Sequence, residues 1–365
     1  MNRLWQVAAL VVLLAVGVEA GSEWVEWMRP EVEDVSFDYA PYRMLRMKSA
    51  PFELNREGFR AKELDSYRGK FLIEFLGGSV CLGVGTHPGK PVSEQLEEAL
   101  HRVGLVQTAV VNLCQGGTAS GQELAIFLQY GLPLHPQVVL SFNGANDLLH
   151  PRPLGDDPAA NLPHHNREMQ ALFEGHHSWF EHLAVKRVSD RIHRNWLGPT
   201  VEQRPGETRQ VAPHSIFESY LYMTEVTRRL TEAQGGTYAL LLQPSLHYAK
   251  SWSPEERAQW EDRRPHDAQT TTEYAHSLYA QMRTTTAVWA SRSGGRLLDL
   301  TETFAKTPGT VYSDSVHFTG ETGFRLLEAE LERQGLLGLI EERYREWERS
   351  PSEDGKDSRS MAWLH

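Results

Sequence analysis

Five short apolar runs, separated by segments with helical patterning, constrain the fold of this chain most strongly. Their apolar residues are consecutive rather than alternating, which is typical of strands covered on both faces. The runs are FLIEFL (71–76), TAVVNL (108–113), QVVLSF (137–142), YALLLQ (238–243) and RLLDL (296–300). Between them, segments such as SEQLEEALHRVG and TGFRLLEAELERQG have apolar residues three and four apart and end at glycine. The alternation predicts an α/β, three-layer α/β/α sandwich with a mainly parallel, flavodoxin-like five-stranded sheet.

The same pattern sets the expected domain organisation. We expect one folded domain at 70–340, preceded by an N-terminal extension at 21–69. A Pro-, His- and Trp-rich interval at 148–212 interrupts the alternation, and we interpret it as a long insertion after the third strand. Such an insertion would lie at the carboxyl ends of the strands, where open α/β sheets bind ligands. The segment 350–365 contains SPSEDGKDSRS, which is too polar to bury, and is expected to be a flexible tail.

Residues 1–20 have the features of an export signal. Arg3 precedes an apolar core, and Val18-Glu19-Ala20 has the spacing of a small-residue cleavage site. The alternative is an uncleaved N-terminal anchor, because Trp5 and the following EWVEWM would extend the apolar span. Both interpretations place the folded domain outside the cytoplasm, either secreted, periplasmic or anchored.

The charge of the chain restricts its partners. With 48 acidic and 37 basic residues the formal net charge is -11, and a nucleic-acid partner would require a broad positive surface. We therefore expect no nucleic acid, and membrane attachment only through the N-terminal segment. A small-molecule or glycan substrate is the expected partner, and the sequence does not predict an oligomeric state.

The first predicted strand ends in the glycine-rich stretch GGSVCLGVGTHPGK (77–90). A phosphate-binding loop requires G-x-x-x-x-G-K-[ST], but Val84 occupies the first glycine position and Pro91 the position of the Ser or Thr. The dinucleotide fingerprint G-x-G-x-x-G is interrupted by Pro88, which opposes the helix start that should face the phosphate. These departures disfavour both nucleotide sites.

A serine nucleophile is the remaining interpretation of this stretch. The elbow motif G-x-S-x-G is matched by Gly77 and Ser79, although Cys81 replaces its second glycine. That replacement disfavours an ordinary α/β-hydrolase elbow. Whether Ser79 is a nucleophile therefore depends on the rest of the chain supplying a base.

The sequence YSDSVHFTGETGF supplies a candidate base near the other end of the chain. Asp314 and His317 stand three residues apart, just before a predicted helix. Across a tight turn this spacing lets a carboxylate orient the imidazole, which leaves the other ring nitrogen free to accept a proton. By itself such a pair is also compatible with a solvated turn. Together with a serine at a strand end, it predicts a triad of Ser79, His317 and Asp314.

Two more strand ends carry candidate hydrogen-bond donors. Asn146 follows the third strand in SFNGANDLL, and a side-chain amide there can donate to the oxyanion of a tetrahedral intermediate. The alternative is an Asn-Asp turn without a chemical role. After the second strand, the sequence NLCQGGTASGQEL places Gly116 and Gly117 where a backbone N–H could reach the same oxyanion.

These four motifs, in this order, resemble the blocks of the SGNH, or GDSL-like, hydrolase superfamily over about residues 70 to 335. The residues that match, in block order, are Ser79, Gly117, Asn146 and the pair Asp314 and His317. One departure is Gly78, where the family usually has aspartate before its serine. A Gly-Gly-Ser form is known in a group of exported or membrane-anchored bacterial members.

The resemblance implies an exported serine esterase that acts on a carboxylic ester, such as an acetyl ester, of a carbohydrate, an envelope glycan or a lipid. In this chemistry Ser79 is the nucleophile, His317 the base and Asp314 its orienting carboxylate. The oxyanion hole is formed by the N–H groups of Ser79 and Gly117 and by the amide of Asn146. No cofactor and no metal are expected. The alternative is an acyltransferase or a non-catalytic accessory protein in extracellular polymer assembly.

The only two cysteines, Cys81 and Cys114, follow the first and second predicted strands. Those strands are neighbours in a flavodoxin-like sheet, so the Cα atoms can lie within the roughly 4.4 to 6.8 Å that a disulfide requires. An oxidising compartment would preserve such a bond. Two buried free thiols are an equally good interpretation of the sequence.

Overall fold

The computed structural model describes residues 36–40, 43–85, 89–149, 213–248, 250–262, 272–318 and 320–350. Three predictions lie outside these residues and stay predictions: the export signal or anchor, the placement of the long insertion at the carboxyl ends of the strands, and the flexible tail. Within the part of the chain that the structure describes, every helix is too short or too polar to cross a membrane.

The central sheet has the predicted five parallel strands. The strands of the described residues are β1 (Ser36–Ala40), β2 (Met44–Ser49), β3 (Phe71–Gly77), β4 (Thr108–Asn112), β5 (Val138–Asn143), β6 (Thr237–Leu242) and β7 (Arg296–Asp299). The sheet order is β4-β3-β5-β6-β7, and each neighbouring pair is parallel. This is the flavodoxin-like order, so the predicted fold class is confirmed.

Helices cover both faces of this sheet. They are α1 (Ser79–Leu82), α2 (Val92–Arg102), α3 (Ser120–Ile126), α4 (Ala145–Leu149), α5 (Pro213–Ala233), α6 (Pro254–Asp262), α7 (Thr272–Ser293), α8 (Gly320–Arg333) and α9 (Leu336–Arg349). α2 and α9 each contact α8, whereas α3 and α7 each contact α5. The two groups form the outer layers of the sandwich, which explains why β3, β4 and β5 are buried along their whole length.

Glu74 is the one charged residue in the apolar run of β3. Its side chain is fully buried and faces the chain after α3, where a side chain on Gly131 would collide with its carboxyl group. Burial raises the pKa of Glu74 well above its ordinary value, because a low-dielectric interior disfavours the charged form.

Two elements without a predicted counterpart complete the folded body. β1 and β2 form an antiparallel hairpin in the N-terminal extension, which also contributes Met47 and Phe59 to the core. At the other end, α9 buries Leu336, Ile340 and Tyr344, which are four residues apart along the helix. The folded body therefore continues through α9 to Arg349, past the predicted boundary at 340.

Candidate active site

Ser79 lies at the carboxyl edge of the sheet, as the first residue of α1 after β3. Other groups approach both of the glycines that precede it closely. A Cβ on Gly77 would contact the carbonyl oxygen of Phe142 and lie 2.8 Å from the Cβ of Cys81. A Cβ on Gly78 would overlap the amide nitrogen of Asn146. The strand therefore stops at Gly77 because only glycine permits this turn among its neighbours.

The predicted triad residues come together at this edge. The Nε2 of His317 lies 2.7 Å from the Oγ of Ser79, and its Nδ1 lies 2.6 Å from the Oδ2 of Asp314. The other carboxylate oxygen of Asp314 accepts the N–H groups of Val316 and His317 at 2.9 and 2.8 Å. Burial alone would raise the pKa of Asp314, but these hydrogen bonds and the imidazole lower it to about 2. Asp314 is therefore ionised and can orient the imidazole.

Asp314 and His317 lie on a tight turn between β7 and α8. Tyr312 and Phe318 pair across the base of the turn as an antiparallel bridge, and the N–H of Ser313 donates to the carbonyl of His317 at 2.9 Å. The ring of Phe318 packs edge-to-face against Phe304 and Phe324. The turn is therefore closed by backbone hydrogen bonding and anchored in the core.

Asn146 lies in α4, directly beyond β5. Its Nδ2 donates to the carbonyl oxygen of Thr118 at 2.6 Å and lies against Gly78. This places the amide beside the turn that carries Ser79. Because an amide nitrogen has two hydrogens, the bond to Thr118 leaves one hydrogen for a second acceptor, and the part of Asn146 in an oxyanion hole stays a prediction.

Gly117 lies in a turn after β4 that is held against the turn preceding Ser79. The N–H of Gln115 and the hydroxyl of Thr118 both donate to the carbonyl of Gly77 at 3.0 Å. Gly117 has a left-handed φ of +74°, and the neighbouring Gly116 is not among the residues with positive φ. The backbone conformation therefore requires glycine at position 117, although its part in an oxyanion hole stays a prediction.

A disulfide joins Cys81 to Cys114, whose Cα atoms are 5.7 Å apart. The two cysteines follow β3 and β4, which pair in the sheet. Of the two interpretations that the sequence left open, the structure therefore has the disulfide. The bond ties α1 to the loop that leads to Gly117.

Hydrogen bonds that no sequence motif predicted link α4 to α3. The carboxylate of Asp147 accepts the hydroxyl of Ser120 at 2.6 Å and its N–H at 3.2 Å. Burial raises the pKa of Asp147 to about 6, although the hydrogen bonds from Ser120 oppose this shift. Asp147 follows Asn146 in the sequence, so these hydrogen bonds hold α4, the helix that carries Asn146. The only sequence signal was the acidic residue that ends the motif GAND.

The N-terminal extension also contacts α1, the helix that begins at Ser79. The guanidinium of Arg60 donates to the carbonyl of Gly83 at 3.2 Å and to that of Gly89 at 3.0 Å. Gly83 is the C-cap residue of α1. The extension is therefore in direct contact with the element that carries Ser79.

The described residues contain no group of three or more His, Cys, Asp or Glu side chains arranged to hold a metal ion. The histidines of the insertion lie outside these residues.

No protein-family model and no curated protein matches the chain. Solved structures do resemble it in three dimensions. A lipase/acylhydrolase from Enterococcus faecalis is 13% identical, covers 74% of this chain and 96% of its own, and gives a TM-score of 0.42. The acetyl xylan esterase AlAXEase is 14% identical over 72% of this chain and 99% of its own, with a TM-score of 0.43. A GDSL-like lipase from Bacteroides thetaiotaomicron is 15% identical over 74% and 88%, with a TM-score of 0.38.

Proposed function

We propose that the chain is a serine esterase of the SGNH type, an enzyme that hydrolyses carboxylic esters through Ser79, His317 and Asp314. The observation that carries this proposal is the continuous hydrogen-bond path from the Ser79 hydroxyl through both nitrogens of His317 to Asp314, with separations of 2.7 and 2.6 Å. A serine hydroxyl becomes a nucleophile when an adjacent base takes its proton. A histidine oriented through its other nitrogen is such a base.

In the first half of the reaction, His317 takes the proton of Ser79 as the oxygen attacks the ester carbonyl. The carbonyl oxygen becomes an oxyanion, which we assign to the N–H groups of Ser79 and Gly117 and to the amide of Asn146. Collapse of the intermediate breaks the bond to the alkoxide, which leaves as an alcohol with the proton from His317. In the second half, His317 activates a water that attacks the acyl-enzyme and releases the acid, with Ser79 regaining its proton.

We further propose that the enzyme is exported and acts on an ester of a carbohydrate, an envelope glycan or a lipid. The signal-like residues 1–20 and the Cys81–Cys114 disulfide support an oxidising location outside the cytoplasm. The net charge of -11 supports a neutral substrate rather than a polyanion.

Covalent labelling tests the assignment of the nucleophile. Wild-type protein treated with a fluorophosphonate should gain the mass of one adduct, located by peptide mapping on Ser79. Ser79→Ala should abolish both the adduct and the hydrolysis of p-nitrophenyl acetate, whereas Ser277→Ala, at an exposed serine of α7, should leave both unchanged. Equal labelling of wild type and Ser79→Ala would contradict the proposal.

A panel of acetylated sugars, assayed with and without sugar acceptors, would then identify the ester and the acyl acceptor. Release of free acid at the same rate in both conditions is expected for a hydrolase. Formation of acylated acceptor instead of free acid would favour an acyltransferase, which forms the same acyl-enzyme.

A further inference from the structure

We propose that Glu256, paired with Lys250, is a positioning residue that fixes the turn carrying Asp314 and His317. This inference rests on the proposed function, because it assigns these residues a role in aligning the proposed triad. Neither residue belongs to the sequence motifs, and both lie in the segment that follows β6.

Glu256 and Lys250 form an ion pair that is sealed from solvent. The side chains of Lys250 and Glu256 are 1% and 0% exposed, and the Nζ and Oε2 atoms are 2.9 Å apart. The ammonium also donates to the carbonyl oxygens of Ser251 at 3.1 Å and Gly309 at 3.0 Å. Every hydrogen of the ammonium therefore has an acceptor, as buried charges require.

One oxygen of Glu256 completes a capping box at the start of α6. The N–H of Glu256 donates to the hydroxyl of Ser253 at 3.1 Å, and the N–H of Ser253 donates to the Oε2 of Glu256 at 2.9 Å. This reciprocal arrangement is common at helix N-termini. It uses Oε2 alone, so the cap does not explain the contacts of the other oxygen.

The other oxygen of Glu256 holds the turn. Its Oε1 accepts the N–H of Val311 at 2.8 Å and that of Tyr312 at 3.0 Å. Tyr312 is paired with Phe318, so these residues form the base of the turn that contains Asp314. A carboxylate anchored to α6 therefore fixes the backbone immediately before the proposed triad carboxylate.

A second contact from the same segment fixes the tip of the turn. The N–H of Leu246 and the hydroxyl of Ser245 both donate to the carbonyl of Ser315, at 3.0 and 3.2 Å. Ser315 lies between Asp314 and His317. The segment after β6 thus holds both the base and the tip of the turn.

The energetics favour a role in geometry over one in stability. A buried ion pair often contributes little net stability, because the loss of hydration offsets the attraction. Burial would raise the pKa of Glu256, but its hydrogen bonds lower it, so the carboxylate remains ionised. A fully satisfied network specifies one arrangement of the backbone, and an error of about 1 Å in a catalytic group can cost roughly 100-fold in rate.

Two double variants separate the hydrogen bonds from the charge. Lys250→Met with Glu256→Gln removes the charges but keeps an acceptor oxygen for Val311 and Tyr312. Lys250→Met with Glu256→Leu removes the acceptor as well. With p-nitrophenyl acetate we expect kcat within about tenfold of wild type for the glutamine variant and about 100-fold lower for the leucine variant. KM should stay within about threefold in both, since the substrate site is not altered.

Equal kcat values in two folded double variants would overturn the inference. If the leucine variant does not fold, Glu256→Asp replaces it, because it keeps the charge but shortens the reach to Val311. We then expect kcat to fall about tenfold with KM unchanged, and an unchanged kcat would overturn the inference.

Labelling of wild-type Ser79 by a fluorophosphonate separates this inference from the proposed function. Failure of the wild type to label contradicts the function itself. Normal labelling of the wild type, together with labelling of the leucine variant at the same rate, contradicts only the role of Glu256.

Discussion

Residue 78 is glycine, whereas the family that this sequence resembles usually has aspartate at this position. The amide nitrogen of Asn146 fills that space, and a Cβ on Gly78 would overlap it. The backbone of Gly78 has a φ of -85°, so its conformation does not by itself require glycine. The Gly-Gly-Ser sequence is therefore matched to the position of the Asn146 amide by packing.

Introducing an aspartate at position 78 should therefore lower the activity that we propose. We expect Gly78→Asp to displace the Asn146 amide and to lower kcat about 100-fold, as loss of one oxyanion donor does. Asn146→Ala should have a similar effect, and the double variant should be little worse than either single variant because both remove the same interaction. Steady-state kinetics with an activated ester would measure this.

Gly338→Ala is the matched control, because a Cβ at this site in α9 would meet no atom within 4 Å. Its kcat should equal that of the wild type. Wild-type kinetics in Gly78→Asp would show that the amide is not held in this place during catalysis.

At the scale of elements, three contacts join neighbouring segments at the carboxyl edge of the sheet. They are made by the disulfide, by Asp147 and by Glu256. Cys81 and Cys114 link α1 to the loop after β4, and Asp147 links α4 to α3. Glu256 links α6 to the turn after β7. The proposed site is thus built from segments at the strand ends that are linked to one another. These links limit the relative movement of the proposed triad and oxyanion donors.

Removal of the disulfide should destabilise the protein more than it slows the reaction. The two cysteines are separated by 33 positions, and closing a loop of that length contributes about 3 to 4 kcal/mol in the chain-entropy model. We expect Cys81→Ala with Cys114→Ala to lower the free energy of unfolding by about that amount in urea. The value of kcat should fall less than tenfold, because Gln115 and Thr118 still hold the Gly117 turn to Gly77.

Peptide mapping without reductant provides the check on the bond itself. A linked peptide containing both cysteines is expected from native protein. Two thiols that alkylate freely after denaturation, with no linked peptide, would rule the bond out, and the stability of the double variant should then equal that of the wild type.

At the scale of the whole molecule, the sheet and the contact between Asp314 and His317 could be predicted because their signals are local. Each buried strand is a continuous apolar run, and Asp314 and His317 are close enough in sequence for their spacing to indicate a contact. The partners of Glu256 could not be predicted in the same way. Its capping box SPEE is a local signal for α6, but its contact with Val311 joins segments that only the tertiary fold brings together.

The β1–β2 hairpin was missed for a related reason. Its contribution to the fold is the packing of Met47 into the core, and short strands next to charged residues carry no clear period. The contact of Arg60 with the end of α1 likewise depends on a chain reversal that no motif marks.

The buried carboxyl groups should shape the stability of the molecule between pH 4 and 8. Asp147 has its pKa raised to about 6 in the folded state, against about 3.9 in an unfolded chain. Glu123, beside it, has a pKa raised well above the ordinary value by burial and by the charge of Asp147. Asp147 therefore binds its proton more tightly in the folded state, so the free energy of unfolding should fall as pH rises through about 4 to 6. The raised pKa of Glu123 acts in the same direction. Asp314, with a pKa of about 2, acts in the opposite direction, and its contribution is lost only as pH falls from about 4 to 2.

Asp147→Asn isolates the first of these contributions, because asparagine keeps an oxygen that can accept the hydrogen bond from Ser120 but has no charge to bury. Urea unfolding at pH 4, 5, 6, 7 and 8 should show a wild-type free energy of unfolding that declines across the lower half of this range. In Asp147→Asn the decline should be smaller by on the order of 2 kcal/mol. Asp65→Asn, at an exposed carboxylate, is the matched control and should follow the wild-type curve. Parallel pH curves for wild type and Asp147→Asn would mean that Asp147 is as easily ionised in the folded protein as in the unfolded chain.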